Sequence, residues 1–221
     1  MLCFNAHTHY KDKENEVGLR NNFIQSFTSI KDAQLQSSGI HPWHINTLDI
    51  DACLKDLSEV IDQIDAIGEC GLDRLIDVDW YYQIEIFRKH IELSEKHQLP
   101  LVVHSVRSYP DIIQIKKQSK CTQPWIIHGF VGNTQVARQL ISNNCYLSFG
   151  KHLMKGHQKT MKALKEVDAQ YVFFETDDDP KISIKEVYQQ GAKLLDVKIE
   201  QLIEEKCQLA SKMFPKIKVL L

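Results

Sequence analysis

Two histidines one residue apart close the first apolar run of the chain, Leu2-Cys3-Phe4-Asn5-Ala6-His7-Thr8-His9. Side chains alternate faces along a strand, so His7 and His9 point the same way. Two imidazoles converging at a strand end can hold a divalent metal ion. Taken alone, the pair also fits two unrelated surface histidines. Later apolar runs end in the same residue types: His41, Glu69, His104, His128 and Asp177. Imidazoles and carboxylates are the donors expected for zinc, manganese, iron or nickel. Even without His41, four histidines and two carboxylates exceed what one four-coordinate ion with an open position needs. They suit two ions sharing a bridge. Each residue also has a plainer role open to it. Glu69 can pair with Arg74 or Arg107, His104 and His128 can be core histidines bonded to backbone, and Asp177 can cap a helix. His41 precedes Pro42-Trp43 and can simply shape that turn. His44, His90, His97, His152 and His157 fall on polar loops or helix faces and are left out of the set.

The elements that would position these residues follow from periodicity. Leu101-Val102-Val103-His104, Trp125-Ile126-Ile127-His128 and Tyr171 to Asp177 are continuous apolar runs, as strands buried on both faces should be. Ile64 to Asp73 is a strand in which Gly68 and Gly71 let backbone approach closely around Glu69. Cys145 to Gly150 is a further strand. Between them lie helical stretches: Asp49 to Gln63, Asp79 to His97 with Asp79 as cap, Tyr109 to Ser119 with Pro110 in its first turn, a helix capped by Asn133 or Thr134, and His157 to Glu166. Two more helices, near Ile184 to Leu195 and Ile199 to Met213, finish the chain. The first part is thinner. Tyr10 to Asn22 is polar and reads as a loop. Phe23 to Thr28 reads as the second strand, and Leu35 to Ile40 as the third, stopping near His41 because Pro42 cannot continue a ladder. Strand alternating with helix through short loops means parallel strands. Eight candidate strands predict a (β/α)8 TIM-type barrel in one domain over residues 1–221, shortened or distorted in its first βα units.

Composition is ordinary for a globular chain: 221 residues, 43% hydrophobic and 25% charged, with a formal net charge of −2. That charge argues against a basic protein that grips nucleic acid by bulk attraction. No run approaches the roughly 18 apolar residues of a membrane span. Met1-Leu2-Cys3-Phe4 has no basic lead, and the six cysteines form no C-x-x-C. The expectation is a reduced, cytoplasmic protein without a signal peptide.

Six stretches in order carry a resemblance: Asn5-Ala6-His7-Thr8-His9, Gly39-Ile40-His41-Pro42-Trp43, Ile67-Gly68-Glu69-Cys70-Gly71-Leu72-Asp73, Pro100 to Ser105, Ile126-Ile127-His128-Gly129-Phe130 and Phe174-Glu175-Thr176-Asp177. Together they resemble the TatD-related metal-dependent DNase family of the amidohydrolase-like barrels. The final helix, ending Ala210-Ser211-Lys212-Met213-Phe214, is similar too. The resemblance implies that His7, His9, Glu69 and Asp177 hold one divalent ion (zinc, magnesium or manganese). Glu69, His104 and His128 would hold a second, with Glu69 bridging. The chain departs from the family's pattern in three places: Asn5 stands where Asp is usual, the region between His9 and Gly39 is short, and Val106 with Arg107 replaces an arginine two residues after His104.

The resemblance implies a nuclease in which Glu69 and Asp177 serve catalysis, Asp177 taking a proton from the attacking water. His41 and Arg107 are candidates for substrate contact, with Lys151 or Arg74 as further grips on a phosphate oxygen. A near-neutral surface suits short or single-stranded DNA ends, or a small phosphoester, better than long duplex. A monomer is expected. Related barrels cleave amides and lactones or deaminate bases on similar sites. No lysine stands at the central strand ends to form a carbamylated bridge, which favours the nuclease branch. A non-catalytic metal-binding protein is the remaining alternative.

Overall fold

The structure is a computed structural model and describes residues 1–27 and 35–219. Eight strands form one sheet in sequence order: β1 (Cys3–Thr8), β2 (Glu16–Phe23), β3 (Leu35–Gly39), β4 (Ala66–Asp73), β5 (Leu101–Val106), β6 (Trp125–Ile127), β7 (Cys145–Phe149) and β8 (Val172–Phe174). Every neighbouring pair is parallel. The last strand meets the first through a parallel bridge between Thr8 and Asp177. There Asp177 N–H donates to His7 C=O at 3.0 Å and His9 N–H to Asp177 C=O at 3.2 Å. The sheet is thereby a TIM-type barrel, and all strand C-termini share one rim.

The second strand lies where sequence reading put a loop. Glu16–Phe23 forms β2, and Ile24–Ser26 that follows is a turn of 3-10 helix. Thr28, the last residue of the expected strand, falls outside the described residues. Val17, Leu19 and Asn21 alternate along one strand face and all three are buried. Only two of them are apolar, so the strand is hidden from a hydrophobicity reading. Its polar member, Asn21, is spent inside the barrel top.

The shortened first half is real. Only residues 9–15 connect β1 to the parallel strand β2, with no helix. Retracing six strand residues takes about 20 Å, and seven residues reach at most about 25 Å. That return leaves no room for a helix and ends in a tight turn, where Glu16 N–H donates to Lys13 C=O at 3.1 Å. Two C-terminal helices, α7 (Ile184–Leu195) and α8 (Ile199–Met213), pack over β1 in place of a crossover helix. Tyr188 Oη donates to Phe4 C=O at 2.9 Å, and Phe214 packs 5.8 Å from the Phe4 ring.

From β3 onward the helices sit close to expectation. They are α1 (Ile50–Glu59), α2 (Trp80–His97), α3 (Tyr109–Ser119), α4 (Thr134–Ile141), a short α5 (Lys151–Met154) and α6 (Gln158–Glu166). Their caps are the ones the side chains dictate: Asp49, Asp79 and Asn133 accept from the N–H of Ala52, Tyr82 and Val136. Asp49 to Gln63 is not one helix, because a 3-10 turn at Ile61–Gln63 follows α1. The short α5 escaped notice for want of length. Among the described residues no helix is long and apolar enough to cross a membrane.

Candidate metal centre

Glu69 is placed by the backbone around it. The β4–β5 register shifts between Ile67 and Cys70, a bulge that re-aims the intervening side chain. Gly68 (φ +135°) and Gly71 (φ +143°) flank it, and a Cβ on either would overlap the backbone carbonyl of Val102 or His104. The close approach expected around Glu69 is therefore that of β5 itself. Asn21 Oδ1 accepts from Glu69 N–H at 2.8 Å and from Ser37 Oγ at 3.3 Å. This tie across the barrel explains the polar end of β2.

The carboxylate of Glu69 is almost fully buried, and its two oxygens face different histidines. Oε2 lies 3.4 Å from His7 Nε2 and 3.5 Å from His9 Nε2. Oε1 lies 2.7 Å from His128 Nε2, 2.9 Å from His104 Nδ1 and 3.1 Å from His41 Nε2. Asp177 Oδ1 completes the first group at 3.6 Å from His7 and 3.7 Å from His9. Asp177 holds a left-handed backbone (φ +56°), a conformation Asp tolerates better than most residues. Ligand atoms within 4.8 Å of one another occur in three sets: His7, His9 and Glu69; His41, Glu69 and His104; and His7, His128 and Asp177. Every residue singled out at a strand end thus converges on one site.

The donors fit a cation. Nε2 of the fully buried His7, 3.4 Å from Glu69 and 3.6 Å from Asp177, has no hydrogen-bond partner among the described residues. Buried polar atoms without partners are uncommon, and metal ions satisfy nitrogens of this kind. Burial would push the Glu69 carboxyl up. The positive charge of His128 and hydrogen bonds from His104, His128 and His41 outweigh it and hold the carboxyl well below the usual range. Burial disfavours the cationic form of His128, yet the charges and bonds of Glu69 and Glu175 raise it well above an ordinary imidazole. Desolvation lowers His41 more than Glu69 restores, so His41 is held neutral.

Beside this centre lies a cavity of about 490 Å3 whose lining includes His104, His128, Glu175 and Asp177 together with Arg107, Lys151 and His152. Arg107 is exposed at the end of β5, also with a left-handed backbone (φ +50°). Lys151 Nζ lies 3.4 Å from Asp178 Oδ1. Arg74 faces elsewhere: both oxygens of Asp111 accept from it at 2.8 Å, and it lies over the Trp80 ring. It is neither a partner of Glu69 nor free to grip phosphate.

Sequence reasoning passed over the residues behind the histidines. Asp73 Oδ2 lies 3.3 Å from His104 Nε2 and accepts from Trp43 Nε1 at 2.8 Å. Burial opposes its charge, but these bonds and the Leu75 N–H lower it to about 2. Glu175 is fully buried, accepts from Gly129 N–H at 2.6 Å and lies 3.8 Å from His128 Nδ1. Both were within reach of the two-residue strand period: Asp73 stands four residues from Glu69, and Glu175 two from Asp177. His90, left out of the ligand set as lying on a polar loop or helix face, is fully buried on α2.

Comparison with known proteins agrees with this architecture. The sequence matches the family model described as TatD related DNase over residues 7–215. It is 29% identical over 193 residues to YabD of Bacillus subtilis, named a metal-dependent hydrolase, covering 78% of this chain and 75% of YabD. It is 28% identical to a zebrafish protein named putative deoxyribonuclease tatdn3, covering 84% and 74%. The crystal structure of the TatD homologue YJJV from Escherichia coli superposes with a TM-score of 0.86 at 16% identity, covering 97% and 99%. With the family model spanning nearly its whole length, the chain belongs to the TatD-related DNase family of metal-dependent hydrolases.

Proposed function

We propose that this protein hydrolyses phosphodiester bonds of DNA, at short or single-stranded ends, with two divalent ions shared through Glu69. The observation that carries this reading is the division of labour at Glu69, whose two oxygens face two separate groups of histidines. His7, His9, Glu69 and Asp177 would hold one ion, and Glu69, His104 and His128 the other. The imidazole-rich set suits zinc better than magnesium. When bound, such ions lower the pKa of water and neutralise charge on phosphoryl oxygens.

The chain's own groups do the rest. Asp177, the carboxylate of the set nearest open solvent (side chain 23% exposed), accepts the proton of the attacking water. Arg107 and Lys151, which both line the cavity beside the centre, bind non-bridging phosphate oxygens. The near-neutral net charge leaves little affinity for duplex beyond what the cavity grips. Zebrafish tatdn3 is named a putative deoxyribonuclease, which supports DNA as substrate class. The cysteines are all free thiols, in keeping with a cytoplasmic location. A monomer suffices, because one chain supplies every residue of the site.

The test is cleavage of a single-stranded, end-labelled oligonucleotide after chelation, with Mg2+, Mn2+ or Zn2+ restored. Wild type is expected to shorten it stepwise, and Glu69→Ala or Asp177→Ala to lose at least about 100-fold in rate while remaining folded. Full activity in both variants would sink the assignment. A folded, metal-loaded wild type that leaves DNA intact would redirect the search to small phosphoesters, amides and lactones.

A further inference from the structure

Trp43 is tied to two histidines of the centre in different ways. Its backbone N–H donates to His41 Nδ1 at 3.1 Å, and His41 Nε2 lies 3.1 Å from Glu69 Oε1. Its indole N–H donates to Asp73 Oδ2 at 2.8 Å, and that same oxygen lies 3.3 Å from His104 Nε2. The second oxygen of Asp73 accepts from Leu75 N–H at 2.8 Å, so the carboxylate is held on both sides. The indole ring stands edge-on to both imidazoles, 4.8 Å from His41 and 6.1 Å from His104. Trp43 is nonetheless 59% exposed. Its inward-facing N–H groups account for where it sits better than burial does.

A neutral imidazole carries one ring proton, and the partner of each nitrogen decides where. A nitrogen that accepts an N–H is the bare one. His41 accepts at Nδ1, so its proton is on Nε2, facing Glu69. Both nitrogens of His104 face a carboxylate: Nε2 lies 3.3 Å from Asp73 Oδ2 and Nδ1 2.9 Å from Glu69 Oε1. With an ion held between Glu69 and His104, Nδ1 must be bare and the ring proton then belongs on Nε2, donated to Asp73. Only a bare nitrogen can bind a metal ion, and the group behind an imidazole selects which one is bare.

Building on the two-ion reading above, we infer that Trp43 and Asp73 sort the two histidines into unlike roles. Asp73 is a positioning residue that makes His104 a ligand through Nδ1. The Trp43 backbone makes His41 a hydrogen-bond donor to Glu69 through Nε2 and keeps it from being a ligand. Histidines 4.5 Å apart between ring centres thus differ in function because of what stands behind them.

Two measurements on the full chain test this. The first is calorimetric titration of the chelated protein with Zn2+. Wild type should take two ions. Asp73→Asn offers an oxygen on one side only, leaving either Leu75 N–H or the His104 side facing an amide NH2. The second ion should then bind about 10- to 100-fold more weakly, with the first unchanged. Trp43→Phe removes only the indole donor at an exposed position and should weaken the same step to a smaller degree. His41→Gln should still take two ions with affinities within about threefold of wild type. The second measurement is the nitrogen-15 spectrum of the histidine rings with and without Zn2+. His41 should carry its proton on Nε2 in both states, and His104 should carry it on Nε2 once Zn2+ is bound.

Loss of an ion in His41→Gln overturns the inference. So does unchanged affinity for both ions in Asp73→Asn, or a zinc-loaded His104 protonated on Nδ1. A wild type that takes up no Zn2+ overturns the two-ion reading and the ligand role of His104 with it. The metal-free spectrum then still decides whether the Trp43 backbone holds the His41 proton on Nε2, and a His41 protonated on Nδ1 overturns that part as well.

Discussion

His90 shows how one buried side chain can be read wrongly from its type and rightly from its partners. Its Nε2 accepts from Ile40 N–H at 3.0 Å and its Nδ1 donates to Ile86 C=O at 2.8 Å. A neutral ring satisfies both bonds, and a second proton would break the first. Burial accordingly lowers its pKa from 6.5 to about 4, against the bond to Ile86 that raises it. The folded value lies below the unfolded one, so between those pH values the unfolded chain binds more protons. His90's contribution is therefore complete above pH 6.5 and is lost as pH falls toward 4, amounting to about 3 kcal/mol. His90→Phe leaves the Ile40 N–H buried without a partner and should cost about 1–3 kcal/mol at pH 7. Denaturant titrations at pH 7 and pH 4 should show that gap shifting by about 3 kcal/mol, enough to close or reverse it. A gap that does not change with pH would contradict the neutral assignment. Asn5 is a second case at this scale. Its amide donates to Glu16 Oε1 at 2.7 Å and Thr176 Oγ1 at 2.8 Å, and its carbonyl accepts from Thr176 N–H. A carboxylate here would face the buried Glu16, so the departure from the family's usual Asp matches this chain's own neighbour.

At the scale of elements, the barrel compensates for the helix missing between β1 and β2 from the far end of the sequence. The β1–β2 return is too short for a helix, and α7 and α8 supply the cover. Cys207 Sγ contacts Leu2 C=O at 3.2 Å, Tyr188 bonds Phe4, and Phe214 closes over the Phe4 ring. Phe214 is buried although it follows the last helix. Phe214→Ala should therefore behave as a core substitution and cost about 3–5 kcal/mol in chemical denaturation. A cost under about 1 kcal/mol would mean that the C-terminal segment merely rests on β1. That strand also carries His7 and ends beside His9, so its outer cover bears on the geometry of the site.

At the scale of the molecule, the strand ends bearing the site's histidines and carboxylates come from β1, β4, β5 and β6 and from the segment after β8. Ions bound there would cross-link the barrel rim and stabilise the folded state alone. At one hundred times its dissociation constant an ion adds about 2.7 kcal/mol. For a chain of this size that is about 5–10 °C in Tm. Thermal melts with chelator, then with Zn2+ restored, should show that rise. The Asp177→Ala and Glu69→Ala variants should show a smaller one. Equal melting temperatures with and without the ion would argue that the folded state holds none.

The sequence by itself determined the barrel, the strands from Leu35 onward and the convergence of His7, His9, Glu69, His104, His128 and Asp177. Parallel strands buried on both faces are continuous apolar runs, and a parallel barrel brings every strand's C-terminus to one rim. Strand β2 escaped because its signal is two apolar residues and an asparagine, and Asn21 gains its purpose only from Glu69 across the barrel. Which oxygen of Glu69 faces which histidine, and which ring nitrogen each histidine turns inward, was decided by the tertiary structure alone. Those choices belong to Asn21, Asp73 and Glu175, whose partners Glu69, His104 and His128 lie 31 to 48 residues away, and to Trp43, which bonds His41 locally but Asp73 only through the fold. No local spacing encodes a hydrogen bond between residues that only folding brings together.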